Sequence, residues 1–400
     1  MLSLGLGMSL PQRRAGNLPG LPIAPGAVFV VEGDNVAAQV DGRSLAAWMG
    51  ALSNGRMTFP PNTAPGTEGA NSHTLQQVLS DVPGVLGKYP ALTHIVIHAG
   101  RHSLTSGLES MKTQAEAIID AYNAANVHVI WSCVLKATDA VGTNATHEAT
   151  RTGFNAWLAA LSGKRLTVVN HDVNFVPAAQ PALIQSGGVY PTAAGARVIA
   201  GNIVAAMSFL ASNHVALMPS ANALTNAAFS GASPFTTGFT ADSVVPTNWS
   251  LLNDTGATVK ASVLDIGGVR TVELLGSGAA SNNSVDLRLS RQTAYELPVQ
   301  EGQWVEGGMF IDIANAAGTG DAVGVNGWTV LIGDTYAFRK DHAAASLGDM
   351  GGRFSGFVRV PPMKRTSASN FQSFGFYARL ATGPVDFRIR LWAPYACVTG

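Results

Sequence analysis

Val30-Val31-Glu32-Gly33-Asp34-Asn35 sets the fold: a β-branched run enters a Gly-Asp turn and stops on an amide. The run starts at Ala27, and Ala27 to Val31 reads as a buried strand because its apolar residues follow one another without alternation. Outward from it, helices and strands take turns. Ser44 to Leu52 reads as a helix, Leu75 to Leu79 as the start of another, and His94 to His98 as a second strand. Ser106 to Ala125 sets Leu108, Met111, Ala115, Ile118 and Ile119 near the 3.6-residue period of a helix, and strand Val127 to Val134 follows. Helix Thr150 to Leu161, strand Arg165 to Val169 and helix Ala193 to Leu210 complete the series. This alternation predicts a parallel sheet covered on both faces by helices.

Beyond about residue 213 the texture changes. Val259 to Leu264, Arg270 to Leu275, Val285 to Leu289, Gly308 to Ile313, Thr329 to Ile332, Arg353 to Val360, Phe371 to Leu380 and Val385 to Ala393 are short alternating runs, punctuated by Gly, Asn and Pro. They predict a β-sandwich of jelly-roll type. The expected organisation is an extended arm at 1–25, rich in Pro and Gly, an α/β domain at 26–212, a linker at 213–222 and the sandwich at 223–400. No repeat of fixed period runs through either half, which argues against a solenoid.

Composition narrows the partners. Lys+Arg and Asp+Glu stand at 25 each and only 12% of the 400 residues are charged, so no basic face for nucleic acid or a membrane is expected. A neutral partner such as a glycan, or another protein, fits better. Cys133 and Cys397 lie in apolar contexts in different domains and are expected as buried thiols. The apolar start precedes Arg13 and Arg14, the reverse of a signal peptide's order, and no run of about 18 apolar residues offers a membrane span.

Four landmarks in the α/β half carry a family resemblance. After the first strand stands Gly33-Asp34-Asn35. Before a helix comes Asn62-Thr63-Ala64-Pro65-Gly66-Thr67-Glu68-Gly69. The second strand ends in Ile97-His98-Ala99-Gly100-Arg101-His102, and the last helix is introduced by Gly187-Gly188-Val189-Tyr190-Pro191-Thr192-Ala193-Ala194-Gly195. In order and spacing these resemble the SGNH (GDSL-type) hydrolases, which implies a flavodoxin-like three-layer fold. The resemblance also implies roles. Asn35 stands where the family has its nucleophilic serine, and Gly69, with Gly66 as the alternative, where a backbone N–H serves the oxyanion hole. His102 stands for the asparagine donor, Gly187 for the acid and Tyr190 for the histidine base.

The substitutions remove the chemistry that the frame implies. An amide cannot be activated by a base to attack a carbonyl, and a tyrosine with a pKa of about 10 is a poor base near neutrality without a carboxylate beside it. The sequence therefore predicts no catalytic residues, and a degenerate cleft in which Asp34, Asn35, Gly69, Arg101, His102 and Tyr190 are candidates for holding a ligand. Asp34 reads equally as a turn cap, and Arg101 as a solvated loop cation. The alternative is an acetyl-esterase with relocated residues, Ser103 attacking with His98, His102 or His171 as base. His94 and His98 share one strand face, but no third ligand stands at a metal-site spacing, so neither metal nor cofactor is expected.

In the second half, Asn222 to Asn226, Pro246-Thr247-Asn248-Trp249 and the closing run Val385 to Trp392 resemble carbohydrate-binding jelly-roll modules. That resemblance makes Trp249, Trp304, Trp328 and Tyr336 candidates for stacking on sugar rings, with a place in the core as the competing reading. An esterase-like domain, a sandwich and a glycine-rich arm together resemble a phage-type virion surface protein. The expectations that follow are a virion or extracellular assembly, partner proteins held through the arm, host polysaccharide as ligand, and homo-oligomerisation.

Overall fold

The computed structural model describes residues 27–399, apart from 40–42, 55, 61–65, 209–221, 225, 282–285, 292–296, 298–299, 333–334, 337–352 and 365–373. The arm expected at 1–25 and nearly all of the linker expected at 213–222 lie outside the described residues.

Strands β1 (Phe29–Gly33), β2 (His94–His98), β3 (His128–Ser132) and β4 (Leu166–Val169) form one parallel sheet in that order. Alternation along each strand divides the core. Val31, Val96, Ile130 and Val169 pack under helices α1 (Leu45–Leu52) and α5 (Ala193–Ala206). Val30, Ile95, Ile97, Val129 and Trp131 pack under α2 (Leu75–Lys88), α3 (Leu108–Ala124) and α4 (Ala145–Ala160). The free edge of β1 is covered rather than open. Val31 N–H donates to Gly66 O at 2.7 Å, Glu68 N–H to Val31 O at 2.8 Å and Ala70 N–H to Gly33 O at 3.0 Å, so residues 66–70 run beside it as a substitute strand.

Two helices run beyond their expected bounds, while α5 stops at Ala206, short of the expected Leu210. α2 continues through Pro83 to Lys88, because Val78, Val82 and Val85 keep a buried stripe while Pro83 faces solvent. Its start is fixed by a capping box between Thr74 and Gln77. α4 begins at Ala145 rather than Thr150, because the Asn144 side chain accepts from Thr146 N–H and His147 N–H.

The second half contains β5 (Ser233–Pro234) paired with β6 (Val244–Val245), β7 (Trp249–Asn253), β8 (Thr258–Ile266), β9 (Val269–Ser277), β10 (Ala279–Ala280), β11 (Asp286–Arg291) and β12 (Trp304–Ala314). It continues with β13 (Val325–Ile332), β14 (Thr335–Tyr336), β15 (Phe354–Lys364), β16 (Phe374–Leu380), β17 (Gly383–Pro384), which pairs with β10, and β18 (Phe387–Thr399). Two antiparallel sheets result, in the orders β15-β12-β18-β9-β8 and β14-β13-β16-β11-β7. With β7 and β8 set aside as added edges, successive strands cross between the sheets except at β13 to β14, which is jelly-roll order.

The two halves share a core. Trp48 of α1 meets the Trp328 ring of β13 edge-on at 6.2 Å and the Phe354 ring of β15 at 6.3 Å, and the Arg197 guanidinium of α5 lies over the Trp48 ring at 5.6 Å. The Asn54 side chain, just past α1, accepts from Phe357 N–H of β15 at 3.1 Å. This packing corrects two expected sugar-stacking residues. Trp328 is 1% exposed and Trp249 is fully buried, its indole N–H donating to Asn226 O at 3.2 Å, so both are core. Trp304 lies in β12 and Tyr336 in β14, but their side chains are outside what is described. Cys133 and Cys397 are both buried free thiols, as expected. Among the described residues no helix is long and apolar enough to cross a membrane.

Candidate functional site

The site lies at the carboxyl ends of β1 and β2, where parallel α/β sheets place their ligands. Gly33 makes the turn there with φ +143°, and a Cβ on it would stand 2.0 Å from His98 O, so glycine is required between the strands. Asp34 N–H donates to that same carbonyl at 3.0 Å. The Asp34 carboxyl turns back to accept from Val36 N–H at 3.1 Å and is 3% exposed, and burial pushes its pKa up to about 7. It is both the turn cap and a wall of the cleft.

Asn35 is held from three sides. Its Oδ1 accepts from Ser72 N–H at 2.7 Å, its Nδ2 donates to Asn71 Oδ1 at 3.0 Å, and Oδ1 also faces His102 Nε2 at 2.9 Å. A backbone N–H is only ever a donor, so Ser72 fixes which end of the amide is oxygen. His102 must therefore carry its proton on Nε2 and donate it to Asn35. Burial, and then the charge of Arg101, lower the His102 pKa, which favours this neutral form. The ring expected at the oxyanion-donor position is thus engaged by the side chain expected at the nucleophile position.

The remaining candidates divide. Arg101 is no solvated cation: its Nη2 donates to Asp139 Oδ2 at 2.6 Å, with the two side chains 15% and 20% exposed. Tyr190 is half-buried at the cleft wall, and Gly187 sits on an exposed turn and brings no carboxylate near it. A Cβ on Gly69 would lie 2.4 Å from Ala38 N, so its backbone is pressed against the turn after β1, and its N–H faces Thr67 Oγ1 at 3.4 Å. Gly66 uses its carbonyl to pair β1, while 62–65 lie outside the described residues. Asp34, Arg101, His102 and Tyr190 thus share a cleft with His98, Val36, Val134, Leu135 and Val189; Asn35, Gly69 and Gly187 stand behind or beside it. The cavity measures about 20 Å³, space for a water or two and far less than a sugar ring.

The relocated-esterase constellation is not assembled. Ser103 is fully buried, and its Oγ accepts from Leu75 N–H at 2.8 Å, at the start of α2. His98 and His171 are each committed to Ser132 instead, His98 Nδ1 at 2.7 Å and His171 Nε2 at 2.8 Å from its Oγ. Asn202 Nδ2 lies 3.1 Å from His171 Nδ1 and completes a hydrogen-bonded row Asn202–His171–Ser132–His98. Ser132, His98 and His171 are all buried, and burial pushes His98 down to about 4 and His171 to about 3, so both rings are neutral. Ser132 escaped the sequence reading, although its signal was there: it ends a strand in register beside His98, as the next strand ends before His171. His94 stacks on Phe29 at 4.5 Å, and among the described residues no His, Cys, Asp and Glu group could hold a metal.

No protein-family model matches the chain, and neither does any curated protein. Solved structures do. A carbohydrate esterase family 3 protein from Talaromyces cellulolyticus aligns at 18% identity over 44% of this chain and 94% of its own, with a TM-score of 0.37. A family 3 carbohydrate esterase from Clostridium thermocellum aligns at 16% identity over 44% and 92%, TM-score 0.35. A G-D-S-L family lipolytic protein from Desulfitobacterium hafniense aligns at 16% identity over 45% and 99%, TM-score 0.35.

Proposed function

We propose that the chain is a non-catalytic structural protein whose α/β half is a degenerate SGNH-type domain. The observation that carries this reading is the closed hydrogen-bond set at Asn35, with His102 donating into the amide. A hydrolase of this kind keeps a hydroxyl nucleophile, an imidazole base and unspent donors facing the developing oxyanion. Here the nucleophile position is an amide, the base position is Tyr190, the side-chain donor is spent, and the space left is about 20 Å³. The order and spacing of the four landmarks along the sequence support descent from such an enzyme rather than chance likeness. A virion or other surface assembly, with the arm at 1–25 joining neighbouring proteins, is the setting proposed for it, and the joining of this domain to a jelly roll supports that setting.

Labelling with a fluorophosphonate probe followed by peptide mass spectrometry tests the reading. No serine is expected to carry the adduct. A stoichiometric adduct on Ser72, Ser103 or Ser132 would overturn it in favour of a relocated esterase.

A further inference from the structure

Residues 66–72 form a strap along the outer side of β1. Gly66 O accepts from Val31 N–H, Glu68 N–H donates to Val31 O and Ala70 N–H to Gly33 O. The Thr67 hydroxyl donates to Ala37 O, and Asn71 and Ser72 hold the Asn35 side chain. Without the strap β1 would be an open edge, so these residues close the site on this side.

Beside the strap stands a buried acid that takes no part in the cleft. Val31 and Thr67 bridge in parallel, which sets the next residues, Glu32 and Glu68, side by side. Glu32 is 1% exposed. The Tyr122 hydroxyl of α3 donates to its Oε2, β2 offers the apolar Ile97 in register, and among the described residues Oε1 has no hydrogen-bond partner. Two further acids lie near it. Asp81 of α2 takes the His73 ring at 3.2 Å, and Glu68 takes Lys88 Nζ at 2.7 Å and the Tyr89 hydroxyl, so the basic groups here serve the neighbours of Glu32. Burial, opposed by the Tyr122 hydrogen bond and reinforced by the charges of Asp81 and Glu68, pushes Glu32 up to about 8. At neutral pH Glu32 is therefore an uncharged acid. Ionised, it would be a buried charge near two others of the same sign, with one oxygen undonated.

We infer that the proton on Glu32 latches this strap, and that its loss in mildly alkaline solution lifts residues 66–72 from β1, gives the carboxylate water and opens the site behind Asn35. The strap is the element that yields. It carries no large apolar side chain, whereas moving α2 or α3 would uncover Leu75, Val78, Met111 and Ile118. Lifting it also takes Glu68 away from Glu32 and turns the flank of β1 to solvent. In the open form Glu32 regains an ordinary carboxyl pKa of about 4.3. The closed form holds the proton more tightly, so its contribution to closure is fully present below about pH 4, weakens by up to about tenfold per pH unit above that, and is lost as pH rises through about 8. The latch governs access to the site and is independent of whether the site hydrolyses esters.

Amide hydrogen exchange of the full chain, followed from about pH 5 to about pH 9 with each rate divided by its unfolded-chain value, tests this. Protection of the Glu68, Ala70 and Ser72 amides is expected to fall about tenfold or more between about pH 6 and about pH 8, while that of Ile130 in β3 stays constant. Glu32→Gln keeps the shape of the uncharged acid and should abolish the fall. Constant protection in the native chain, a fall shared by Ile130, or the same fall in Glu32→Gln overturns the inference; the last would make Asp34 the responsible group. If Glu32→Gln does not fold, Asp81→Asn, at a side chain 44% exposed, carries the test. With that charge gone the fall should level off at lower pH, and an unaltered profile overturns the inference.

Discussion

At Asn35 and His102 two side chains 67 positions apart in sequence satisfy each other. Ser72 N–H and His102 Nε2–H both donate into Asn35 Oδ1, while Asn35 Nδ2 donates to Asn71, so this amide is satisfied at both ends. The four landmarks themselves were legible in the sequence. The bond between Asn35 and His102 was not, because only the meeting of β1 and β2 brings the two together. Asp34 is the residue here whose energetics can be tested. Burial pushes it up to about 7, so between about pH 4 and 7 the folded chain keeps a proton that the unfolded chain has lost. The stability this contributes is fully present below about pH 4 and lost as pH rises through 7. Asp34→Asn removes the dependence. Calorimetric melting temperatures of variant minus native are expected to rise by several degrees between about pH 5 and pH 8; equal differences at both would contradict the assignment.

Among the elements, the strands were the most legible. Unbroken apolar runs such as Val129-Ile130-Trp131 admit little else in a sheet covered on both faces. Helix ends were less so. Pro83-Gly84 carries the usual signal for a stop, but the buried stripe of α2 outweighs it, and Asn144 caps α4 ahead of the first periodic residue. The row Asn202–His171–Ser132–His98 ties α5 to β3 and β2. Ser132→Ala leaves two buried imidazole nitrogens without their partner, and a loss of about 1–3 kcal/mol is expected in urea unfolding. Unchanged stability would mean that water replaces the hydroxyl and that the row does not hold these elements together.

For the whole molecule, the division of the sequence at about residue 213 is sharp in texture but not in packing. Trp48, Trp328 and Phe354 belong to one continuous core that passes from the parallel sheet through α1 and α5 into the sandwich. Sequence pattern shows that Trp48 belongs on a helix; it does not show that the helix is buried on both sides, because its partner rings lie in strands near the other end of the chain. The native chain is expected to unfold in one calorimetric transition, whereas Trp48→Ala should cost about 3–5 kcal/mol and separate the two halves into two transitions. A single transition in the variant would show that the halves are coupled through other contacts. The central claim is the proposal that this joined molecule does not hydrolyse esters, and steady-state hydrolysis of p-nitrophenyl acetate by the purified full chain, beside Ser103→Ala and Ser132→Ala, tests it most directly. The expected result is a rate indistinguishable from buffer for all three proteins; turnover by the native chain that either substitution abolishes would contradict it.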